Sequence, residues 1–155
     1  MARVYLETTI PSYIVARSSR DLVVAAHQQI TREWWDGRNR FELFISQLVL
    51  REARSGDDEA VGRRLELLNE LPILELSEET HTLASALINQ GAIPENATID
   101  ALHIAIAVVN GRDYLLTWNC AHIANATMRG TIERVCRGKG YEPPIICTPE
   151  ELMED

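Results

Sequence analysis

Glycine is missing from the segment where a nucleotide-binding fold would need it. The first apolar run, Val4 to Leu6, ends at Glu7 and continues as ETTIPS, which contains no glycine. The P-loop and the dinucleotide fingerprint both place glycines directly after such a strand, so that backbone N–H groups can approach the phosphates. The sequence therefore excludes these two classes of nucleotide-binding site.

Cysteine is scarce as well. The chain has three, Cys120, Cys136 and Cys147, and no two of them form a CxxC pair. Neither a zinc site nor a disulfide framework is indicated by an odd number of widely spaced cysteines. We expect reduced, mostly buried thiols, as in a cytosolic protein.

Long apolar runs are absent. The longest, from Ala101 to Val109, is interrupted by His103 and is far shorter than a membrane span. Arg3 and Glu7 lie in the N-terminal segment, which is not typical of a signal peptide. Repeats, low-complexity tracts and linkers are missing too. We therefore expect a single domain over 1–155, with no membrane association and a cytoplasmic location.

Lysine is nearly absent. The formal net charge is −8, and Lys139 is the one lysine among 15 basic residues. An acidic chain is a poor general binder of nucleic acid, because neutralising phosphates supplies most of that affinity. The planar guanidinium of arginine, however, can form two parallel hydrogen bonds with a phosphate or a carboxylate. Local arginine patches could engage RNA or an acidic peptide, although a compositional bias of the genome explains the arginines equally well.

Strand and helix patterns alternate along the chain. Caps at Asp21 and Ser77, and the capping box formed by Thr148 and Glu151, mark starts of helical segments. Such alternation is typical of an α/β fold with a mainly parallel sheet of about five strands between helical layers. The sequence predicts strands at 3–7, 41–46, 72–76, 113–118 and 144–147, and helices at 21–37, 47–56, 57–71, 78–91, 97–111 and 128–140.

Four oxygen-bearing side chains map to one edge of this predicted sheet: Glu7, Glu52, Asp100 and Asn119. Each lies at or just beyond the carboxyl end of a strand, or begins the helix that feeds one, and ligands of open α/β sheets bind at that edge. Clustered carboxylates repel one another unless a cation neutralises them. Oxygen ligands without His or Cys favour Mg²⁺ or Mn²⁺.

Each of the four also has an ordinary explanation. Glu7 could be solvated at a strand end, and Glu52 could be a surface charge on its helix. Asp100 could stabilise its helix through a favourable interaction with the helix dipole, and Asn119 could cap a turn. Taken singly these explanations are preferable, but together they leave the common location of the four residues unexplained.

Two further features have open alternatives. His103 lies three residues after Asp100 and could form an acid–base pair with it, although a packed core histidine is the better interpretation. Trp34 and Trp35 could stack RNA bases, although a role in the core or at a partner interface is favoured by their amphipathic helix.

The segments VYLETTIPSY, LVLREA, TIDALHIAIA, YLLTWN and PIICTPEEL, in this order, resemble the PIN-domain family, and most closely the VapC-like toxins of prokaryotic toxin–antitoxin pairs. The resemblance covers nearly the whole chain. It implies a compact three-layer α/β fold and a metal-dependent endoribonuclease that cleaves RNA phosphodiester bonds. It also implies a small antitoxin protein as partner, and we expect a homodimer.

The resemblance carries the family's metal-binding and catalytic positions to Glu7, Glu52, Asp100 and Asn119. Glu7 stands where the family usually has Asp, and Asn119 stands where an acid is common, so one negative charge is missing. Thr8 and Thr117 would orient the carboxylates from a second layer. The competing interpretation is a non-catalytic PIN-like domain that binds RNA or a protein partner; a small-molecule enzyme is disfavoured because no cofactor motif is present.

Overall fold

Five parallel strands form the centre of the computed structural model, which describes residues 1–153. The strands are β1 (Ala2–Leu6), β2 (Phe41–Ser46), β3 (Ile73–Leu74), β4 (Tyr114–Leu116) and β5 (Ile145–Cys147). Their order across the sheet is β3-β2-β1-β4-β5, and every pairing is parallel. The helices are α1 (Thr9–Val15), α2 (Leu22–Asp36), α3 (Gln47–Ala53), α4 (Asp58–Leu68), α5 (Glu78–Asn89), α6 (Thr98–Val109) and α7 (Ala126–Gly138).

Both faces of the sheet are covered. Val4, Tyr5 and Leu6 are consecutive residues of β1 and all three are fully buried. Because successive side chains of a strand point to opposite faces, helices must pack on each side of the sheet. The α/β class, the parallel sheet and the three layers predicted from the sequence are thus confirmed.

Helix α6 is the most apolar helix and every residue from 101 to 108 is buried. Its continuous burial explains why no amphipathic pattern is visible in that segment, since a helix surrounded by protein needs no polar face. It is 12 residues long. Within residues 1–153, no helix is both long enough and apolar enough to cross a membrane.

The helix caps follow the sequence prediction. Asp21 Oδ1 accepts a hydrogen bond from Val24 N at 3.0 Å, and Ser77 Oγ accepts one from Thr80 N at 3.2 Å. These bonds satisfy amide groups that have no partner inside the first turn. At the C-terminal turn, Glu151 Oε1 accepts from the amide of Thr148 at 3.0 Å, as the capping box predicts.

Two elements differ from the prediction. Helix α1 was not predicted; Pro11 lies within its first turn, where the missing amide hydrogen removes no intrahelical bond. Strand β3 is two residues long instead of five, and it pairs with β2 alone at the edge of the sheet. A short edge strand offers few free backbone groups to another chain. The other predicted boundaries shift by at most three residues at each end.

The cysteines are unpaired, as expected. Cys136 and Cys147 are buried, while Cys120 is exposed. Burial raises the pKa of Cys136 to about 11 and that of Cys147 to about 12. Thiols held protonated in this way are poor nucleophiles, so these two residues serve packing.

Candidate functional site

The candidate site lies at the carboxyl ends of β1 and β4, the middle strand and its neighbour. The chain passes from β1 to β2 on one side of the sheet, whereas β4 pairs on the other side of β1. The strand order therefore reverses at β1, and connections leave this edge in opposite directions. A crevice at such a switch point is the usual ligand site of open α/β sheets.

Glu7 follows β1 directly and is a buried carboxylate, 5% exposed. Its Oε1 atom accepts hydrogen bonds from Thr117 Oγ1 at 2.7 Å, from Thr9 N at 3.1 Å and from Thr9 Oγ1. All three donors are neutral, and within residues 1–153 Glu7 has no ion-pair partner. A buried charge that is held only by neutral donors on one oxygen favours a cation as its remaining partner.

Glu52 reaches the same edge from α3, the helix that begins where β2 ends. Its Oε1 atom accepts from Thr8 Oγ1 and from His103 Nε2, the latter at 2.6 Å. Burial by itself would raise the pKa of Glu52, but the hydrogen bond from His103, the electrostatic attraction of that imidazole and the hydrogen bond from Thr8 together outweigh it and lower that pKa. Glu52 is therefore held as a carboxylate.

A buried chain of hydrogen bonds holds His103 against Glu52. Tyr5 Oη lies 2.7 Å from His103 Nδ1 and 2.8 Å from Ser46 Oγ, and Ser46 Oγ accepts from Val49 N at 3.1 Å. If His103 is neutral with its proton on Nε2, then Ser46 donates to Tyr5, Tyr5 donates to Nδ1 and Nε2 donates to Glu52. This arrangement satisfies every group in the chain. Burial raises the pKa of Tyr5 well above its usual value, which keeps the hydroxyl a donor.

Asp100 lies in the first turn of α6 and contacts the loop after β4. Asn119 Nδ2 donates to Asp100 Oδ1 at 2.9 Å, and His122 Nδ1 lies 2.8 Å from Asp100 Oδ2. Asn119 Oδ1 in turn accepts from the amide of His122 at 3.1 Å. The loop is thus closed on itself and attached to the helix, with Asp100 as the common acceptor.

Adjacent residues and shared hydrogen bonds join these groups into one network. Thr117 Oγ1 donates to Glu7 and accepts from the amide of Asn119 at 2.9 Å, and Asn119 continues to Asp100. The side chain of Thr8, the residue after Glu7, binds Glu52. All six residues that the sequence singled out are connected in this way: Glu7, Thr8, Glu52, Asp100, Thr117 and Asn119.

The carboxylates are not arranged as a finished metal centre. Among residues 1–153, no three His, Cys, Asp or Glu side chains form a group that could hold an ion as they stand. The reason lies in the hydrogen bonds described above, because His103 holds Glu52 and His122 holds Asp100. The chemistry of the donor set still fits a hard divalent cation, since it combines carboxylate and amide oxygens with a buried anion, Glu7, that has no basic partner.

Asp100 and His103 do not pair, and the favoured interpretation of His103 as a buried histidine agrees with the structure. His103 is buried, as a core histidine would be, but it binds Glu52 and Tyr5, whereas Asp100 binds His122. His122, Thr9 and the Tyr5–Ser46 pair were not predicted from the sequence. His122 lies three residues after Asn119, and this turn spacing is the one signal that could have drawn attention to it.

Of the paired tryptophans, Trp34 is not accessible for base stacking, and Trp35 is half-buried with the guanidinium of Arg38 4.3 Å from its ring centroid. Trp34 is fully buried and packs against Phe41, with 5.7 Å between ring centroids. Trp118 instead lies beside the site, stacked on His27 at 4.0 Å, and its Nε1 atom donates to Thr31 at 2.7 Å. Trp118 therefore anchors the backbone just before Asn119.

Parallel α/β sheets carry many functions, and a comparison with protein families identifies the class to which this one belongs. A family model of the PIN domain matches residues 4–119, from β1 to Asn119, and the chain belongs to the PIN-domain family. Comparison with curated protein sequences gives no significant match.

Solved structures with the same fold include VapC toxins. VapBC2 from Rickettsia felis, bound to a DNA fragment from its promoter, matches with a TM-score of 0.55 and 18% identity over 94% of this chain and 98% of that chain. VapC20 from Mycobacterium tuberculosis, a toxin that cleaves the sarcin-ricin loop, matches with a TM-score of 0.61 and 12% identity over 77% of this chain and 92% of that chain. At such identities the likeness concerns the fold.

Proposed function

We propose that this protein is a divalent-metal-dependent endoribonuclease that acts as the toxin of a toxin–antitoxin pair. The single observation that carries the proposal is Glu7, a buried carboxylate bound only by neutral donors. Thr117 and Asn119 link it to Asp100, and the adjacent Thr8 links it to Glu52. A fold that stabilised only itself would gain by replacing such a charge with an apolar residue.

The residues have distinct proposed roles. Glu7 and Asp100 hold Mg²⁺ or Mn²⁺, and Glu52 is either a further ligand or the base that acts through a water molecule. Asn119 is a neutral ligand or orients the water. When bound, the cation lowers the pKa of water and stabilises charge on the scissile phosphate.

Other residues of the chain keep these groups in place. Thr117 and Thr9 fix one oxygen of Glu7, and Thr8 does the same for Glu52. The hydrogen bonds from Tyr5 and Ser46 hold His103 so that Nε2 faces Glu52. Groups that orient metal-binding carboxylates in this way typically contribute about 10- to 100-fold in affinity or activity.

RNA is the proposed substrate and a small antitoxin the proposed partner. Two observations support this assignment: membership of the PIN-domain family, and a fold shared with a VapBC complex and with a toxin that cleaves the sarcin-ricin loop. The net charge of −8 makes unspecific binding to nucleic acid weak, so a bound cation would also offset repulsion between RNA and this acidic edge.

A non-catalytic PIN-like domain that binds RNA or protein is the second candidate. One observation favours it: Asn119 occupies a position where an acid is common in the family, and it occupies one oxygen of the Asp100 carboxylate by donating to it at 2.9 Å. Under this alternative the network would serve the fold alone, and the protein would not respond to divalent metal.

Metal-dependent cleavage is the direct test. We expect cleavage of a structured RNA in Mg²⁺ or Mn²⁺ and none in EDTA at matched ionic strength. The folded protein should also gain about 2.7 kcal/mol at a metal concentration about 100 times the Kd. For a chain of this length that gain corresponds to a rise in Tm of roughly 5–10 °C. If the protein cleaves no RNA and its Tm does not change with Mn²⁺, the metallonuclease is excluded and the non-catalytic domain remains.

We also propose that the protein forms a homodimer through the start of α2. Leu22 and Val23 are 87% and 64% exposed there, and a helix that presents adjacent apolar side chains to solvent favours a partner. Light scattering should give twice the monomer mass at micromolar concentration, and Leu22→Ser with Val23→Ser should give the monomer mass. A wild-type protein that remains monomeric at high concentration would contradict this arrangement.

A further inference from the structure

Asp100 differs from the other two site carboxylates in that both of its oxygens are held within the described part of the chain. Its Oδ1 atom accepts from Asn119 Nδ2 at 2.9 Å, and its Oδ2 atom lies 2.8 Å from His122 Nδ1. Glu7 and Glu52 use only Oε1 there. Donors on both oxygens fix the plane of the Asp100 carboxylate, and with it the directions of the remaining lone pairs.

The contact between His122 and Asp100 determines the role of each ring nitrogen. An ionised carboxylate only accepts hydrogen bonds, so the proton of a neutral His122 ring lies on Nδ1 and leaves a lone pair on Nε2. Within residues 1–153, Nε2 has no hydrogen-bond partner, and the side chain is 36% exposed. The bond to Asp100 is therefore the one link between this ring and the network.

The turn that carries His122 is held by its backbone. Asn119 O accepts from the amides of Ile123 at 3.2 Å and Ala124 at 2.8 Å, and Ile123 is fully buried. Asn119 Oδ1 accepts from the amide of His122 at 3.1 Å. Because these bonds use backbone amides, a change of the His122 side chain leaves their donors in place. Such a change therefore tests the bond to Asp100 by itself.

We propose that His122 is a positioning residue that holds Asp100 Oδ2 and thereby sets the affinity of the candidate site for a divalent cation. This role rests on the proposed function of the site and adds a residue outside its carboxylates. Each carboxylate oxygen can accept more than one bond, so Asn119 and His122 leave lone pairs for an ion. A carboxylate that is already oriented loses less conformational freedom when it binds that ion.

Asparagine and glutamine at position 122 separate the contributions of the two ring nitrogens. In His122→Asn, the amide nitrogen lies close to the former place of Nδ1 and can donate to Asp100, while nothing replaces Nε2. In His122→Gln, the longer side chain carries its amide to the neighbourhood of Nε2 instead. We expect Mn²⁺ binding near that of the wild type for His122→Asn. Binding should be about 10- to 100-fold weaker for His122→Gln and for His122→Ala, as measured by calorimetry at fixed ionic strength.

Two measurements in EDTA are independent of activity. NMR shifts of the wild-type ring nitrogens should show a proton on Nδ1 of His122, and thermal melts should show that each variant is folded. His81→Asn and His81→Gln are the matched controls, since His81 is exposed on α5 and lies outside the network. Neither control should change the affinity for Mn²⁺.

Cleavage assays separate an effect on the metal from an effect on the substrate. His122→Gln should raise the Mn²⁺ concentration needed for half-maximal cleavage by the same factor as the Kd for Mn²⁺, and should leave KM for RNA at saturating Mn²⁺ unchanged. A raised KM with unchanged Mn²⁺ affinity would place the ring against the substrate and overturn the positioning role.

The remaining outcomes distinguish this role from the function of the site. If the wild type binds Mn²⁺ and cleaves RNA while His122→Gln binds Mn²⁺ equally well, the role of His122 is overturned and the nuclease function stands. A ring proton on Nε2 alone, or equal losses of affinity in His122→Asn and His122→Gln, would overturn the role as well. If the wild type neither binds Mn²⁺ nor cleaves RNA, the proposed function fails, and the role of His122 fails with it.

Discussion

Asp100→Asn should abolish RNA cleavage and the stabilisation by Mn²⁺ while leaving the protein folded. The substitution removes one negative charge at constant size. Loss of an outer group around a metal already costs about 10- to 100-fold, so loss of a direct ligand should lower kcat/KM by at least about 100-fold. The amide oxygen of the variant would still accept from Asn119, and His122 can change tautomer to accept from the amide nitrogen. The hydrogen bonds that measure 2.9 and 2.8 Å in the wild type can therefore be kept.

Asp58→Asn provides the control for this experiment. Asp58 and Asp100 both lie in the first turn of a helix, α4 and α6 respectively, but Asp58 is exposed and remote from the network. An acid in a first turn stabilises its helix by about 0.3–1 kcal/mol through the helix dipole, and the control measures this contribution. Equal Mn²⁺ responses in wild type and Asp100→Asn would mean that Asp100 serves the helix dipole and not a metal.

Asn119→Asp should lower the stability of the protein without metal and should raise metal affinity and RNA cleavage when metal is present. Without metal, the substitution replaces the amide that donates to Asp100 Oδ1 at 2.9 Å by a second anionic oxygen. Losing a hydrogen bond to a charged group and adding repulsion should cost about 1–3 kcal/mol, or roughly 2–12 °C in Tm. With metal, a further carboxylate beside the ion should tighten binding on the order of tenfold and raise RNA cleavage.

Asn125→Asp is the matched control for the second experiment. Asn125 also follows β4 and also caps a turn of backbone, accepting from Thr127 N at 3.0 Å, but it does not contact Asp100. Calorimetry at fixed ionic strength gives the affinities, and thermal melts in EDTA and in Mn²⁺ give the two stabilities. A metal affinity unchanged by Asn119→Asp would show that Asn119 only closes the turn with His122.

Much of the fold follows from local pattern. The short apolar runs at β1, β2 and β4 are bounded by helical segments with recognisable caps, and the alternation permits few arrangements other than a parallel sheet. Helix α1 was not predicted, because Pro11 with neighbouring Ser and Thr residues is typical of a turn. Proline is compatible with a helix only in its first turn, and the sequence does not show where the helix begins. The predicted length of β3 was too great, because the number of residues in an apolar run that pair with a neighbouring strand depends on the sheet as a whole.

The sequence by itself determined which side chains meet at the sheet edge, because the ends of parallel strands are fixed once the strands are. Glu7, Glu52, Asp100 and Asn119 are connected for that reason. Only the tertiary structure decided which histidine forms a hydrogen bond with which acid. His103 shares a helix with Asp100, yet its side chain reaches Tyr5 of β1 and Glu52 of α3. His122, 22 residues after Asp100, lies in the loop that reaches Asp100. Spacing along a helix limits which side chains can share a face, but the partner of a buried polar group is the one that packing places within hydrogen-bonding distance.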